Sequence, residues 1–271
     1  NIVTISPSNK NFKYLDEEHL IIVGKSDTKQ EIFDTIFFAS RDIKRIKIPK
    51  HIKYIKQNSF ERCKYLRTVE FEKDSELISI GINSFAFTAI QSITIPKNVC
   101  ELGICSFYCC ENLKTFSLEE GSKLKSIHKC AVSFSHIEEF FIPKTVEEIE
   151  DDWCSYALHL KKVTVSPENK NFKYLDAEHQ IIVGKSDKNE DIFDVIVFAN
   201  RNIKYFQIPK YIKYIKSDAF ANCEQLKMID IPDDSEIDSF GINAFTDTSL
   251  VNFRFPRKVC EYENDFLNGS K

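Results

Sequence analysis

The chain has 271 residues, 42% hydrophobic and 13% aromatic, enough to build a substantial core. Its net charge of −4 gives no electrostatic case for nucleic acid or an anionic membrane, and no apolar run is long enough to span a bilayer. It opens at Asn1 without a charged-then-apolar leader, and its single methionine is Met228, so it reads as a piece of a longer protein with its localisation signals outside it.

In chain order, the first block is VTISPSNKNFKYLDEEHLIIVGKS (3–26). FKYLD and HLIIVGK read as two strands around an acidic turn, a hairpin carried on an enlarged coil over 1–42. A shorter pattern starts at Ile43: IKRIKIP (43–49), LRTVEFE (66–72), IQSITIP (90–96), LKTFSLE (113–119), IEEFFIP (137–143) and LKKVTVS (160–166). Starts are spaced alternately by 23 and 24, and positions 4 and 6 are apolar as a strand requires. A second apolar pair follows each, such as Ile52/Ile55, Leu77/Ile80 or Val99/Leu102. Ser-Phe or Ala-Phe comes next, as in Ser59-Phe60, Ser84-Phe85 and Ser106-Phe107. The coil at 113 has Ala131-Val132 there and the coil at 137 has Asp152-Trp153-Cys154, so local distortion is expected at both.

At Val163 the opening block returns as VTVSPENKNFKYLDAEHQIIVGKS (163–186), followed by the apolar DVIVFA (194–199). The short pattern resumes with IKYFQIP (203–209), LKMIDIP (226–232) and LVNFRFP (250–256). A segment of 160 residues is therefore duplicated, and the second copy is cut off by the chain end. The organisation expected is a single repeat domain: a hairpin-bearing coil (1–42), a repeat block (43–162), a second hairpin-bearing coil (163–202) and a truncated repeat block (203–271). The inserts read either as binding protrusions or, more simply, as spacers or caps.

A unit this short cannot bury its apolar face alone, but stacked on its neighbours it can. Equivalent residues then form ladders: two aliphatic, and one of Phe on the opposite wall. Prolines such as Pro49, Pro96 and Pro209 directly follow the strand patterns, where the coil turns and no N–H is needed. Cys63, Cys110 and Cys223 occupy one repeat position and read as buried free thiols. Cys105, Cys109, Cys110 and Cys130 cluster but lack zinc-site spacing. His128, Cys130 and His136 lack a placed acidic partner for Cys-His chemistry, and His19 and His179 read as turn residues. No catalytic residue, metal or cofactor is expected.

The pattern LxxIxIPxxVxxIxxxAFxxCxxL, shown best at 43–66, 90–113 and 203–226, resembles the BspA-type leucine-rich repeat, and in wording the sets expanded in anaerobic parasitic protists. The resemblance implies a leucine-rich-repeat solenoid: a strand-rich, right-handed coil with short helical turns. It also implies a non-catalytic protein-binding module, displayed on a cell surface or secreted and contacting a host surface or matrix protein. A cytoplasmic interaction scaffold is the alternative, which the free-thiol pattern favours, and an enzyme a distant third. Neither nucleic acid binding nor direct membrane insertion is expected. Strand positions 3 and 5 should point out of the core, so the candidate binding face holds Arg45, Lys47, Glu139, Phe141, Lys162, Tyr205, Gln207 and Arg254. Phe141 and Tyr205 stand out as exposed aromatics of the kind that anchor interfaces.

Overall fold

A computed structural model describes residues 3–251 together with Phe253, Glu261 and Tyr262. The chain forms a leucine-rich-repeat solenoid built from stacked coils. It divides into two compact units, Asn1–Glu138 with Glu148–His159, and Glu139–Glu147 with Leu160–Lys271.

In the first unit, Arg45–Ile48, Thr68–Phe71, Ser92–Ile95 and Thr115–Leu118 form a four-stranded parallel sheet. Alternation along each strand decides the faces: Ile46, Ile48, Val69, Ile93, Ile95 and Phe116 are buried, while their neighbours stand outward. The second apolar pair of each coil supplies a two-residue strand, as at Tyr54–Ile55, Ser79–Ile80 and Glu101–Leu102, and these too pair in parallel. The hairpin insert continues that sheet. Phe12–Tyr14, Ile21–Gly24 and Thr35–Ala39 form an antiparallel meander, and Thr35–Ala39 then runs parallel to Tyr54–Ile55.

After Tyr54–Ile55, Ser79–Ile80 and Glu101–Leu102 the chain turns through a phenylalanine, and these stack into a wall. Phe60 and Phe85 stack with centroids 4.9 Å apart and planes at 7°, and all of Phe60, Phe85 and Phe107 are fully buried. The helical turns implied by the resemblance do not form: among the described residues there is no helix. The reason lies in where the amides go. Asn58, Phe60 and Arg62 donate to Ile82 O, Ser84 O and Ala86 O of the next coil, which leaves only i+3 turns such as Cys63 N–H to Phe60 O. Left-handed residues four apart, Asn58 (φ 60°) and Arg62 (φ 59°), turn the chain, and later coils repeat the pair.

That pair also survives where distortion was expected. Cys130/Phe134 and Asp152/Tyr156 keep φ between 55° and 58°, and Val132 N–H still donates to Trp153 O at 3.0 Å. Val132 and Cys154 simply take the places of the ladder phenylalanines and are buried there. Coil-to-coil approach is close enough to exclude a side chain at Gly103, where a Cβ would lie 2.8 Å from Ile80 O.

The second unit pairs Glu139–Ile142 with Lys162–Val165, and Tyr205–Gln207 with Met228–Asp230, both in parallel. Its six-stranded sheet begins with the second insert, Phe172–Tyr174, Ile181–Gly184 and Val195–Ala199, and continues through Tyr214–Ile215, Ser239–Phe240 and Glu261–Tyr262. Phe220 and Phe245 form a Phe stack of their own, with centroids 5.2 Å apart. The duplication is kept down to irregularities: both inserts shift register at the same place, between Ile22/Val23 and Ile182/Val183.

Candidate protein-binding face

Each insert is locked by its own acids. Asp16 accepts from Leu20 N–H at 2.9 Å and Ile21 N–H at 2.8 Å, and Asp176 accepts from Gln180 N–H and Ile181 N–H in the same way. His19 (φ 57°) stacks on Tyr14 at 4.0 Å, and His179 (φ 58°) on Tyr174 at 4.2 Å, so both histidines are turn residues. Asp34 and Asp194 are buried. Burial alone would raise their carboxyl pKa, but bonds from Ser26 and Ser186, with Thr35 helping Asp34 and Lys213 helping Asp194, hold both below the ordinary value.

Over the start of the first unit's four-stranded sheet, the insert turn overhangs an open cleft of about 970 Å³. Asp16, Glu17 and Glu18 line one side, and Arg45, Lys47, Thr68 and Glu70 the other. Arg45 stands in register with Thr68 and Lys47 with Glu70. Further along, the outward residues are hydroxyls, with Ser92 beside Thr115 and Thr94 bonded to Ser117 at 2.8 Å. This face runs from mixed charge to Ser/Thr.

In the second unit the outward face is more apolar. Glu139 lies opposite Lys162, and Phe141, 46% exposed, lies opposite Thr164. Phe140 and Ile142 on either side are buried, which forces Phe141 outward. Tyr205, 49% exposed, pairs with Met228, 56% exposed, and Gln207 pairs with Asp230. The structure thus groups Arg45 with Lys47 in the first unit. In the second it groups Glu139, Phe141 and Lys162 on one strand pair, and Tyr205 and Gln207 on another. Arg254 lies outside the described residues.

Two contributors were not singled out by sequence. Met228 falls on an outward position by the strand pattern but carries no aromatic or charged label. The acidic insert turn faces Arg45 and Lys47 only once the hairpin is folded over the sheet.

His128 finds an acidic partner that its sequence spacing did not place. His128 Nδ1 lies 2.7 Å from Glu150 Oε1, and His136 packs on His159. Among the described residues no group of three His, Cys, Asp or Glu could hold a metal ion. Among them, too, no helix is long and apolar enough to cross a membrane. Cys63, Cys110 and Cys223 are buried with free thiols, and burial pushes Cys110 up to about 11.

A family model for the BspA-type leucine-rich repeat region matches in six copies, over residues 30–161 and 192–271. The chain belongs to that family. No curated protein matches the sequence. Among solved structures, this BspA-type chain is similar to the pneumococcal vaccine antigen PcpA, with TM-score 0.70 at 23% identity. The match covers 85% of this chain and 54% of that one, so the BspA-type chain spans about half the length of the antigen. It is also similar to a leucine-rich cell surface protein from Faecalibacterium prausnitzii, with TM-score 0.64 at 16% identity over 99% of this chain and 87% of that one. A leucine-rich repeat protein from Eubacterium ventriosum gives TM-score 0.57 at 19% identity, over 73% and 56%. At these identities the likeness is one of fold.

Proposed function

We propose that the chain is a non-catalytic protein-binding solenoid, displayed on a cell surface as an adhesion or host-interaction module. The observation that carries this is the outward strand face: Phe141, Tyr205 and Met228 are each about half exposed on rigid strands whose inward neighbours are buried. A large apolar side chain held out by the fold contributes little to stability and is what an interface core uses. The charged cleft of the first unit supplies polar contacts suited to orienting a protein partner. Membership of the BspA-type family and the fold likeness to a vaccine antigen and a cell surface protein support the surface location.

The test is adhesion. Beads coated with the chain should bind a panel of immobilised matrix proteins or intact host cells, and soluble chain should compete. Beads that retain no panel member and no cell above an uncoated control would remove the adhesion reading.

A cytoplasmic scaffold using the same face is the second reading, favoured by the free thiols of Cys63, Cys110 and Cys223. Surface labelling of intact cells separates the two: labelling of this protein supports display, and labelling only after lysis supports the scaffold.

A further inference from the structure

The left-handed position that opens each turn is filled by Asn58, Asn83, Asp152, Asp218 and Asn243. Asn and Asp tolerate φ near +60° because their short polar side chains can bond locally. Two consecutive coils break this rule with cysteine, at Cys105 (φ 53°) and Cys130 (φ 56°).

The two cysteines are stacked equivalents. Cys105 N–H donates to Lys129 O at 2.9 Å and Phe107 N–H to Ala131 O at 2.8 Å, so paired bonds hold the two turns side by side in register. Neighbouring strands pair at roughly 4.7–4.9 Å. A disulfide needs Cα atoms roughly 4.4–6.8 Å apart with side chains pointing the same way. The two sulfurs are close enough to influence each other: the Cys130 sulfur helps to hold the Cys105 thiol protonated. Both residues are partly exposed, unlike the fully buried Cys63 and Cys110, so a small reagent can reach them.

We propose that Cys105 and Cys130 are a redox modification site, closing into a reversible intercoil disulfide by exchange with an oxidised low-molecular-weight thiol. Cys130 loses its proton and its thiolate attacks one sulfur of the reagent disulfide. The reagent's S–S bond breaks, one reagent thiolate leaves and takes up a proton, and Cys130 carries a mixed disulfide. The Cys105 thiolate then attacks the Cys130 sulfur, and the second reagent thiolate leaves and is protonated. Two protein thiols are oxidised by two electrons and one reagent disulfide is reduced to two thiols.

Cys130 attacks first for a local reason: burial raises both thiols, but the neighbouring Cys105 and Lys129 favour the Cys130 thiolate, whereas the Cys130 sulfur and Cys109 hold Cys105 protonated. Burial, the Cys130 sulfur and Cys109 push Cys105 up to about 11. The charged groups facing the pair are Lys129, which favours the thiolates, and Asp152, which opposes Cys130. Closure is therefore slow at neutral pH and quickens as pH rises.

The experiment incubates the 271-residue chain with oxidised glutathione at about pH 7 and about pH 9, where the thiolate fractions differ. Alkylation of remaining thiols, intact mass and peptide mapping follow. The expected product has lost two hydrogens, carries no glutathione, maps to Cys105–Cys130 and forms at least several-fold faster at the higher pH. A reductant restores both thiols, and the linked form melts roughly 5–10 °C higher. Cys109→Ser still closes the link; Cys130→Ser abolishes it. Three results would overturn the proposal: a lasting glutathione adduct on Cys130, a bond from Cys105 to Cys109, or both thiols unchanged at the higher pH. Mapping of the unsubstituted chain decides the matter even if a serine variant fails to fold.

Discussion

Phe85 and Phe107, one coil apart in sequence, stack with ring centroids 5.3 Å apart and planes at 9°. Both are fully buried, and Phe107 also meets the edge of Phe116 at 5.4 Å. Phe107 thus ties the turn wall to the strand sheet. Phe107→Ala should cost about 3–5 kcal/mol, because it removes a ring from the middle of a ladder that cannot collapse around the gap. Urea denaturation measures it, and a loss under about 1 kcal/mol would mean the ladder does not carry the fold.

Serines one position before the ladder differ in what they bond. Ser59 Oγ donates to Lys56 O at 2.7 Å and also lies 3.1 Å from Ile36 O. Ser84 and Ser106 are buried with no partner for Oγ. Other coils place Ala131, Ala219 and Ala244 there. Ser106→Ala should therefore be neutral or slightly stabilising, while Ser59→Ala should cost about 1 kcal/mol. Equal losses at the two sites would contradict this bonding pattern.

Asp34 and Asp194 give the chain an acid limit. Their folded-state pKa values are lowered, so the unfolded chain takes up protons at higher pH than the folded one. Their stabilisation is complete above the ordinary carboxylate value, about 3.9, and is lost as pH falls through the folded values. Asp194→Asn should destabilise at neutral pH and flatten the loss of stability in acid. Denaturation midpoints at a series of pH values check it; parallel curves for variant and parent would refute the assignment.

Buried thiols should resist alkylation in the native state. Cys63 donates to Ser40 O, Cys110 to Phe85 O and Cys223 to Asn200 O, and burial raises all three. Mass spectrometry after native and denaturing alkylation should find them labelled only in denaturant. Native labelling of Cys110 at the rate of a free thiol would contradict its placement.

Much of this fold was legible because repetition makes one position visible many times. Phe60, Phe85 and Phe107 recur at one repeat position, as do Ile52/Ile55 and their equivalents, and both ladders are where the pattern put them. The turn conformation was not legible. Asn58 and Asn83 hint at left-handed backbone, but Phe87, Cys105 and Phe134 adopt it without being the residue types that signal it. What imposes it is the next coil, whose carbonyls take the amides that a helical turn would have used. The outward placement of Phe141 and Tyr205 followed from alternation alone. The cleft between Glu17 and Arg45 did not, because it depends on how the insert folds over the sheet.

If the outward strand face binds a protein partner, Phe141→Ser should weaken that binding without unfolding the chain. Phe141 is about half exposed between buried Phe140 and Ile142, so losing its ring removes little from the core. Buried at an interface, such an anchor typically contributes at least about 2 kcal/mol, roughly thirtyfold in affinity. Affinity for the partner retained in the adhesion assay, measured beside Tm for parent and variant, should fall by about that factor with Tm nearly unchanged. Unchanged affinity, or a Tm lower by many degrees, would contradict the claim.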